Sequence, residues 1–163
     1  MRVYVRNRFF SLRQGSDVVN DENNPVFKVK GKWPSIRKTK FVQDLDGNLL
    51  YKVRNKFWHF LYPSSYIFNS EGERICKVKR QLFKIKTNWI VEGLEDEISV
   101  QGNWVGWNLS VIKNGQEIGK ISREFNLFKD AFKVDAEEKD IPFLVALVIA
   151  IDNIQDNASR DRS

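Results

Sequence analysis

The chain holds one histidine, His59, and one cysteine, Cys76, and this closes off most side-chain chemistry. A Cys–His nucleophile pair needs both groups at useful spacing, and a multi-histidine metal site needs ligands that are absent here. His59 stands in Phe57-Trp58-His59-Phe60 and is read as a satisfied histidine among aromatics. Cys76 alternates with Val78 and is expected to behave as a small buried hydrophobe. No Gly-x-Ser-x-Gly elbow, Gly-x-x-x-x-Gly-Lys-Ser/Thr phosphate loop or His-Glu-x-x-His pair occurs. The run Glu95-Asp96-Glu97 reads as a solvated loop, and Trp104 and Trp107, in a stretch that also holds Gly102 and Gly106, as core packing at a barrel corner. The expectation is a non-enzymatic protein with no catalytic residue, no metal site and no cofactor.

What remains is charge. The net charge is +6, and its distribution says more than its sum. Residues 1–86 hold 19 Lys and Arg against 7 Asp and Glu, a balance of +12; residues 87–163 hold 8 against 14, a balance of −6. A field of that sign suits an anionic partner such as phospholipid headgroups or nucleic acid. The candidate contacts are Lys28, Lys30 and Lys32, then Lys52, Arg54 and Lys56, with Arg37, Lys38 and Lys40 in the stretch between. Nucleic acid is the less favoured partner, because the aromatics are expected to share faces or corners with the core and not to interleave with the outward lysines.

These residues belong to a repeat of strands. Arg8-Phe9, Lys32-Trp33 and Lys56-Phe57 recur at a spacing of 24, each after an alternating segment: Val3–Arg6, Val26–Lys30 and Leu50–Arg54, with Ile75–Lys79 as kin. In the last three, the apolar residues (Phe27 and Val29; Tyr51 and Val53; Cys76 and Val78) fall on one face of a period-2 strand and the basic residues on the other. Turn signals at Asp44–Asn48, Asn69–Glu73 and Lys113–Gln116, and a glycine-free variant at Asp21–Pro25, should join antiparallel neighbours. Further strands are expected at Ile98–Gly102, Trp107–Lys113, Glu117–Ser122 and Ala131–Asp135, about twelve in all.

The strands need something to enclose. Phe143-Leu144-Val145-Ala146-Leu147-Val148-Ile149-Ala150-Ile151 is apolar on every side of a helix, so it must be buried all round. Asp140 is placed to cap it, and Pro142 is tolerated in its first turn. A helix over residues 141–155 would be about 22 Å long, and its apolar run falls short of the ~20 residues a membrane span requires. Phe143, Leu144, Leu147, Val148 and Ile151 are therefore assigned to a central helix inside a closed or nearly closed barrel. With its lumen filled, such a barrel leaves recognition to its outer wall and ends. One domain over residues 1–156 and a disordered polar tail over 157–163 complete the expected organisation. A single cysteine and an N-terminal stretch without a continuous apolar segment give a cytoplasmic location as the default.

Four stretches carry a resemblance: Phe9-Phe10-Ser11-Leu12, Asn24–Lys32, Gly102-Asn103-Trp104-Val105-Gly106-Trp107 and Phe143–Asp152. Together they resemble the LURP-one-related family, whose fold is similar to the tubby C-terminal domain and to that proposed for phospholipid scramblases. The compact form is similar to bacterial members of the YxjI type. The resemblance implies a barrel of about twelve antiparallel strands threaded by one hydrophobic C-terminal helix. It implies no reaction. Tubby domains bind phosphoinositide headgroups through basic residues outside the barrel, so the implied partner class is an anionic membrane surface or phosphorylated headgroup, with the protein peripheral at the inner membrane face. Tubby's binding residues have no residue-by-residue match here.

Overall fold

Three hairpins of this chain turn in the same way, and the turn explains the repeat. In a computed structural model, which describes residues 1–6, 16–32, 36–56, 63–81, 88–103, 106–124 and 131–160, the first residue of each turn is Asn20, Asp44 or Asn69. Its side-chain oxygen accepts the backbone N–H four residues on: Asn24 at 2.9 Å, Asn48 at 2.8 Å and Glu73 at 2.9 Å. Its own N–H donates to the carbonyl of that fourth residue, at 2.9, 3.1 and 2.9 Å. Such local side-chain bonds let Asn and Asp stand in for the ladder where the chain reverses. The residue before the exit has positive φ, 94° at Gly47 and 87° at Gly72; Asn23 takes that place at 65°, which is why the first turn needs no glycine.

The strands are β1 (Arg2–Arg6), β2 (Ser16–Asn20), β3 (Pro25–Gly31), β4 (Lys40–Gln43), β5 (Leu49–Asn55), β6 (Ser64–Phe68), β7 (Arg74–Gln81), β8 (Asn88–Gly93), β9 (Ile98–Asn103), β10 (Asn108–Lys113), β11 (Gln116–Glu124) and β12 (Ala131–Ala136), followed by helix α1 (Ile141–Arg160). They form one antiparallel sheet in the order β8-β7-β6-β5-β4-β3-β2-β1-β12-β11-β10-β9. Sheet neighbours are chain neighbours except where β1 pairs with β12, Val3 opposite Val134 and Val5 opposite Phe132. The sheet curls into a nearly closed barrel whose seam runs between β8 and β9.

Inside lies α1. Every residue from Phe143 to Ile151 is buried, most of them completely. Around it stand Val3, Val5, Val18, Val29, Val42, Val53, Ile67, Cys76, Val78, Val91, Leu109, Val111, Ile121 and Val134, the inward residues of the alternating strands. Phe27 and Tyr51 pack partly buried against this core, and the Tyr51 and Phe143 rings meet edge to face at 6.0 Å. On β11 the helix comes so near that a Cβ added to Gly119 would sit 2.5 Å from Leu144 Cδ1. Trp107, at φ 49°, is 4% exposed and packs on Phe132 with ring centroids 4.5 Å apart, the corner packing expected of it. Cys76 is fully buried, and burial pushes its thiol up to about 12.

The helix begins where expected: Asp140 precedes it, and its carbonyl accepts the first helical bond from Leu144 at 3.1 Å. It ends later, however. The backbone stays helical to Arg160, so residues 157–160 of the expected disordered tail continue the helix. Residues 156–160 contain no Pro or Gly, and nothing local breaks the helix where its apolar face stops. His59, Trp104 and the Phe9-Phe10-Ser11-Leu12 motif lie outside the described residues.

Candidate anion-binding surface

The outer face of β3 to β7 is built by the other half of the alternation. Val29, Val42 and Tyr51 are register partners on the inner face, with Val53 two residues on from Tyr51, so Lys30, Phe41 and Lys52, also register partners, share the outer face. The next strand sets Phe68 beside Lys52 and Tyr66 beside Arg54, and β7 sets Arg74 beside Phe68 and Lys77 beside Tyr66. Cations and rings therefore alternate across the wall. Lys52 Nζ lies 4.6 Å from the Phe68 ring centre and the Arg54 guanidinium 5.1 Å from it, while the Arg74 guanidinium lies 5.1 Å from that of Tyr66. Phe68 is only 9% exposed although it stands outside the core, beneath the Lys52 and Arg54 side chains.

This interleaving corrects the expectation that aromatics would keep to the core and the corners. Ser64-Ser65-Tyr66-Ile67-Phe68 has no apolar–polar alternation to reveal which side each ring takes. Lys77 and Lys79 were also missed as wall residues, although Cys76-Lys77-Val78-Lys79 repeats the alternation of the chosen strands. Lys79 pairs with Glu92, whose carboxyl is lowered chiefly by that hydrogen bond.

The nine predicted basic residues divide into three groups. Lys30, Lys52 and Arg54 share the wall, and none of them pairs with a carboxylate among the described residues. Lys28 is on the same wall but reaches the far end of the barrel, donating to the Leu45 carbonyl at 2.8 Å. Lys32, Arg37, Lys38 and Lys56 stand at one rim, where Arg37 Nε donates to the Asn55 carbonyl at 3.1 Å. Arg54 links wall and rim. Its Nε is buried without a hydrogen-bond acceptor, and burial, with the charge of Arg37 next, lowers its guanidinium below the usual value. The two guanidiniums are thus close enough to oppose each other's charge, and one of them keeps an N–H without an acceptor.

Lys40 is not part of that surface. It is paired with Val53 and so shares the parity of Val42, which turns it into the barrel, where Nζ lies 4.0 Å from Asp152 Oδ2. The two side chains are 11% and 10% exposed. A lysine next to a strand start looks like a wall residue in sequence; parity decides otherwise, and the helix supplies its counter-charge. Around the pair, Asn55 faces Ser65 across the ladder and Asn153 Nδ2 donates to the Lys38 carbonyl at 3.1 Å.

In the acidic loop, Asp96 accepts from Lys113 Nζ at 2.7 Å and Asn114 Nδ2 at 2.8 Å, and the hydrogen bond from Lys113 is the main reason its carboxyl is lowered. Among the described residues no helix is long and apolar enough to cross a membrane.

Comparison with known proteins agrees with this architecture. The chain is 21% identical over 157 residues to the uncharacterised protein YxjI of Bacillus subtilis, covering 94% of this chain and 93% of that one. A crystal structure of a protein from Arabidopsis thaliana superposes with a TM-score of 0.62 at 15% identity, over 94% of this chain and 90% of that one, a likeness of fold. The model of the LURP-one-related family matches residues 1–152, so the chain, with its twelve strands wound round one apolar helix, belongs to the LURP-one-related family.

Proposed function

We propose that this protein is a non-enzymatic binding module whose basic wall contacts the anionic headgroups of a phospholipid membrane, holding it peripherally at the inner face. The observation that carries this reading is Arg54, with a buried Nε that lacks an acceptor, beside Arg37 and on the same outer face of the sheet as Lys30 and Lys52. A phosphate oxygen is a suitable acceptor for a forked guanidinium and for the lysines around it. The filled lumen supports the same reading by leaving the exterior as the place for contact.

Cosedimentation with phosphatidylcholine vesicles carrying increasing phosphatidylserine or phosphoinositide tests it. At ~50 mM salt, where charge is least screened, binding should rise with anionic lipid and fall as salt is added. Replacing Lys52 and Arg54 by Gln should weaken it roughly tenfold or more, each surface cation being worth ~1 kcal/mol. Absence of binding at low salt sinks the proposal.

The interleaved rings favour one second reading, contact with nucleic acid through the half-buried Phe41 and Tyr66 as well as the cations. A gel shift with single-stranded and duplex oligonucleotides separates the two. A steep fall in affinity with salt is expected of the nucleic-acid complex.

A further inference from the structure

Ile36 is 87% exposed, the most exposed large apolar side chain among the described residues, and it sits on a turn that is firmly tied down. The residues after it are held from three sides. Asn55 N–H donates to the Arg37 carbonyl at 2.9 Å, Asn153 of the central helix donates to the Lys38 carbonyl at 3.1 Å, and Lys32 N–H donates to the Thr39 carbonyl at 2.9 Å. An isoleucine held outward on an anchored turn is a different object from one left over on a loose loop. It costs free energy in water for as long as nothing covers it.

Its surroundings identify what would cover it. All neighbouring strands are antiparallel, so β3 and β5 end, and β4 and β6 begin, at the same rim of the barrel as Ile36. The described connecting residues there (32, 36–39, 56, 63 and 106–107) include the cations Lys32, Arg37, Lys38 and Lys56 and no carboxylate. The turns at the opposite end (21–24, 44–48, 69–73, 94–97 and 137–140) hold twelve carboxylates and one lysine. The barrel is thus polarised along its axis. An anionic surface attracts one end and repels the other, and each basic residue brought near it strengthens binding roughly fivefold.

We infer that the protein meets an anionic bilayer end-on, with Ile36 inserted at the boundary between headgroups and acyl chains and the rim cations Lys32, Arg37, Lys38 and Lys56 at headgroup level. This rests on the membrane reading above and adds to it an orientation and an apolar anchor. An apolar side chain ringed by basic ones is the combination that interfacial anchors use. The wall cations nearest this rim, Arg54 foremost, then face the headgroups from the side.

The test uses the full chain with Ile36→Cys labelled by an environment-sensitive nitrobenzoxadiazole dye, Cys76 being buried and unreactive. Leu45→Cys, at the acidic end and 47% exposed, is the control. With vesicles containing phosphatidylserine, the dye at 36 should shift to the blue and be quenched by nitroxides on the acyl chains, while the dye at 45 stays aqueous. Ile36→Asp should weaken vesicle binding roughly tenfold or more with Tm unchanged. If the protein cosediments with anionic vesicles while the dye at 36 stays aqueous, end-on insertion is wrong and the basic-wall reading stands. If it does not cosediment at all, both are wrong.

Discussion

Lys40 and Asp152 face each other inside the barrel, 4.0 Å apart, one from the first residue of β4 and the other from the helix just past its apolar run. Replacing Lys40 by Met removes the ammonium group that stands beside the buried Asp152 carboxylate. The expected cost is roughly 3 to 5 kcal/mol in a urea unfolding experiment, with much of it recovered in Lys40→Met/Asp152→Leu. Vesicle binding by the folded fraction should be unchanged, because Lys40 does not reach the outer surface. A Lys40→Met protein as stable as wild type would refute the inward placement.

Leu147 has no exposed surface and lies at the middle of the helix's apolar run. Leu147→Ala should cost about 2 to 5 kcal/mol through lost burial and the cavity left behind. Leu147→Asp should abolish cooperative folding, since no face of the helix is open to water. A soluble Leu147→Asp protein with a sharp thermal transition would contradict the enclosed helix.

Gly119 and Gly47 should respond to alanine for different reasons. At Gly119 the new Cβ meets Leu144 Cδ1 at 2.5 Å, Ala136 Cβ at 2.7 Å and the Asp135 carbonyl at 2.9 Å, so the helix and β12 must shift at a cost of about 1 to 3 kcal/mol. Leu144→Val should couple to that loss without removing it, because the backbone contact remains. At Gly47 nothing lies within 4 Å, and the expected loss of about 1 to 2 kcal/mol comes only from its φ of 94°. Equilibrium denaturation of the two single variants and the Gly119→Ala/Leu144→Val pair checks this; additivity of the pair would argue against helix contact at Gly119.

Cys76 provides a pH signature. Its thiol is raised to about 12 from an ordinary 9.0, so the folded form keeps its proton where the unfolded form loses it. Its contribution is intact below pH 9 and declines by roughly 1.4 kcal/mol per pH unit as pH rises from 9 to about 12. The difference between wild type and Cys76→Ala in urea titrations isolates this slope from other groups. Native protein should also resist thiol reagents at pH 8 and react once unfolded; rapid labelling of the native protein would contradict the burial.

Alternation made the core faces legible in sequence: Val29, Val53, Cys76 and Val78 all point inward, as period 2 requires. The helix was legible for a simpler reason, as nine consecutive apolar residues have few other homes. The paired strands between were harder. Lys40-Phe41-Val42-Gln43 puts a lysine inside and a phenylalanine outside, a reversal that only its register partners, Val53 for Lys40 and Lys52 for Phe41, expose. Tyr66 and Phe68 were hidden because every residue near them suits either face. The rim position of Ile36 required strand ends to be placed in space, which local pattern does not do. The helix overran its expected end because the apolar run marks where burial stops, while helical backbone continues until something breaks it.

The order of the elements along the chain also bears on how the protein is made. All twelve strands precede α1, so on a ribosome the sheet emerges before the segment it must surround. Ten of the eleven strand pairings join neighbours in sequence, and the exception, β1 with β12, awaits the last strand before the helix. The seam between β8 and β9 carries no ladder, which leaves one line along which a nascent sheet can stay open and then wrap its late-arriving core. The apolar helix thereby spends the least time of any element exposed to the cell, an advantage for a segment that would otherwise aggregate.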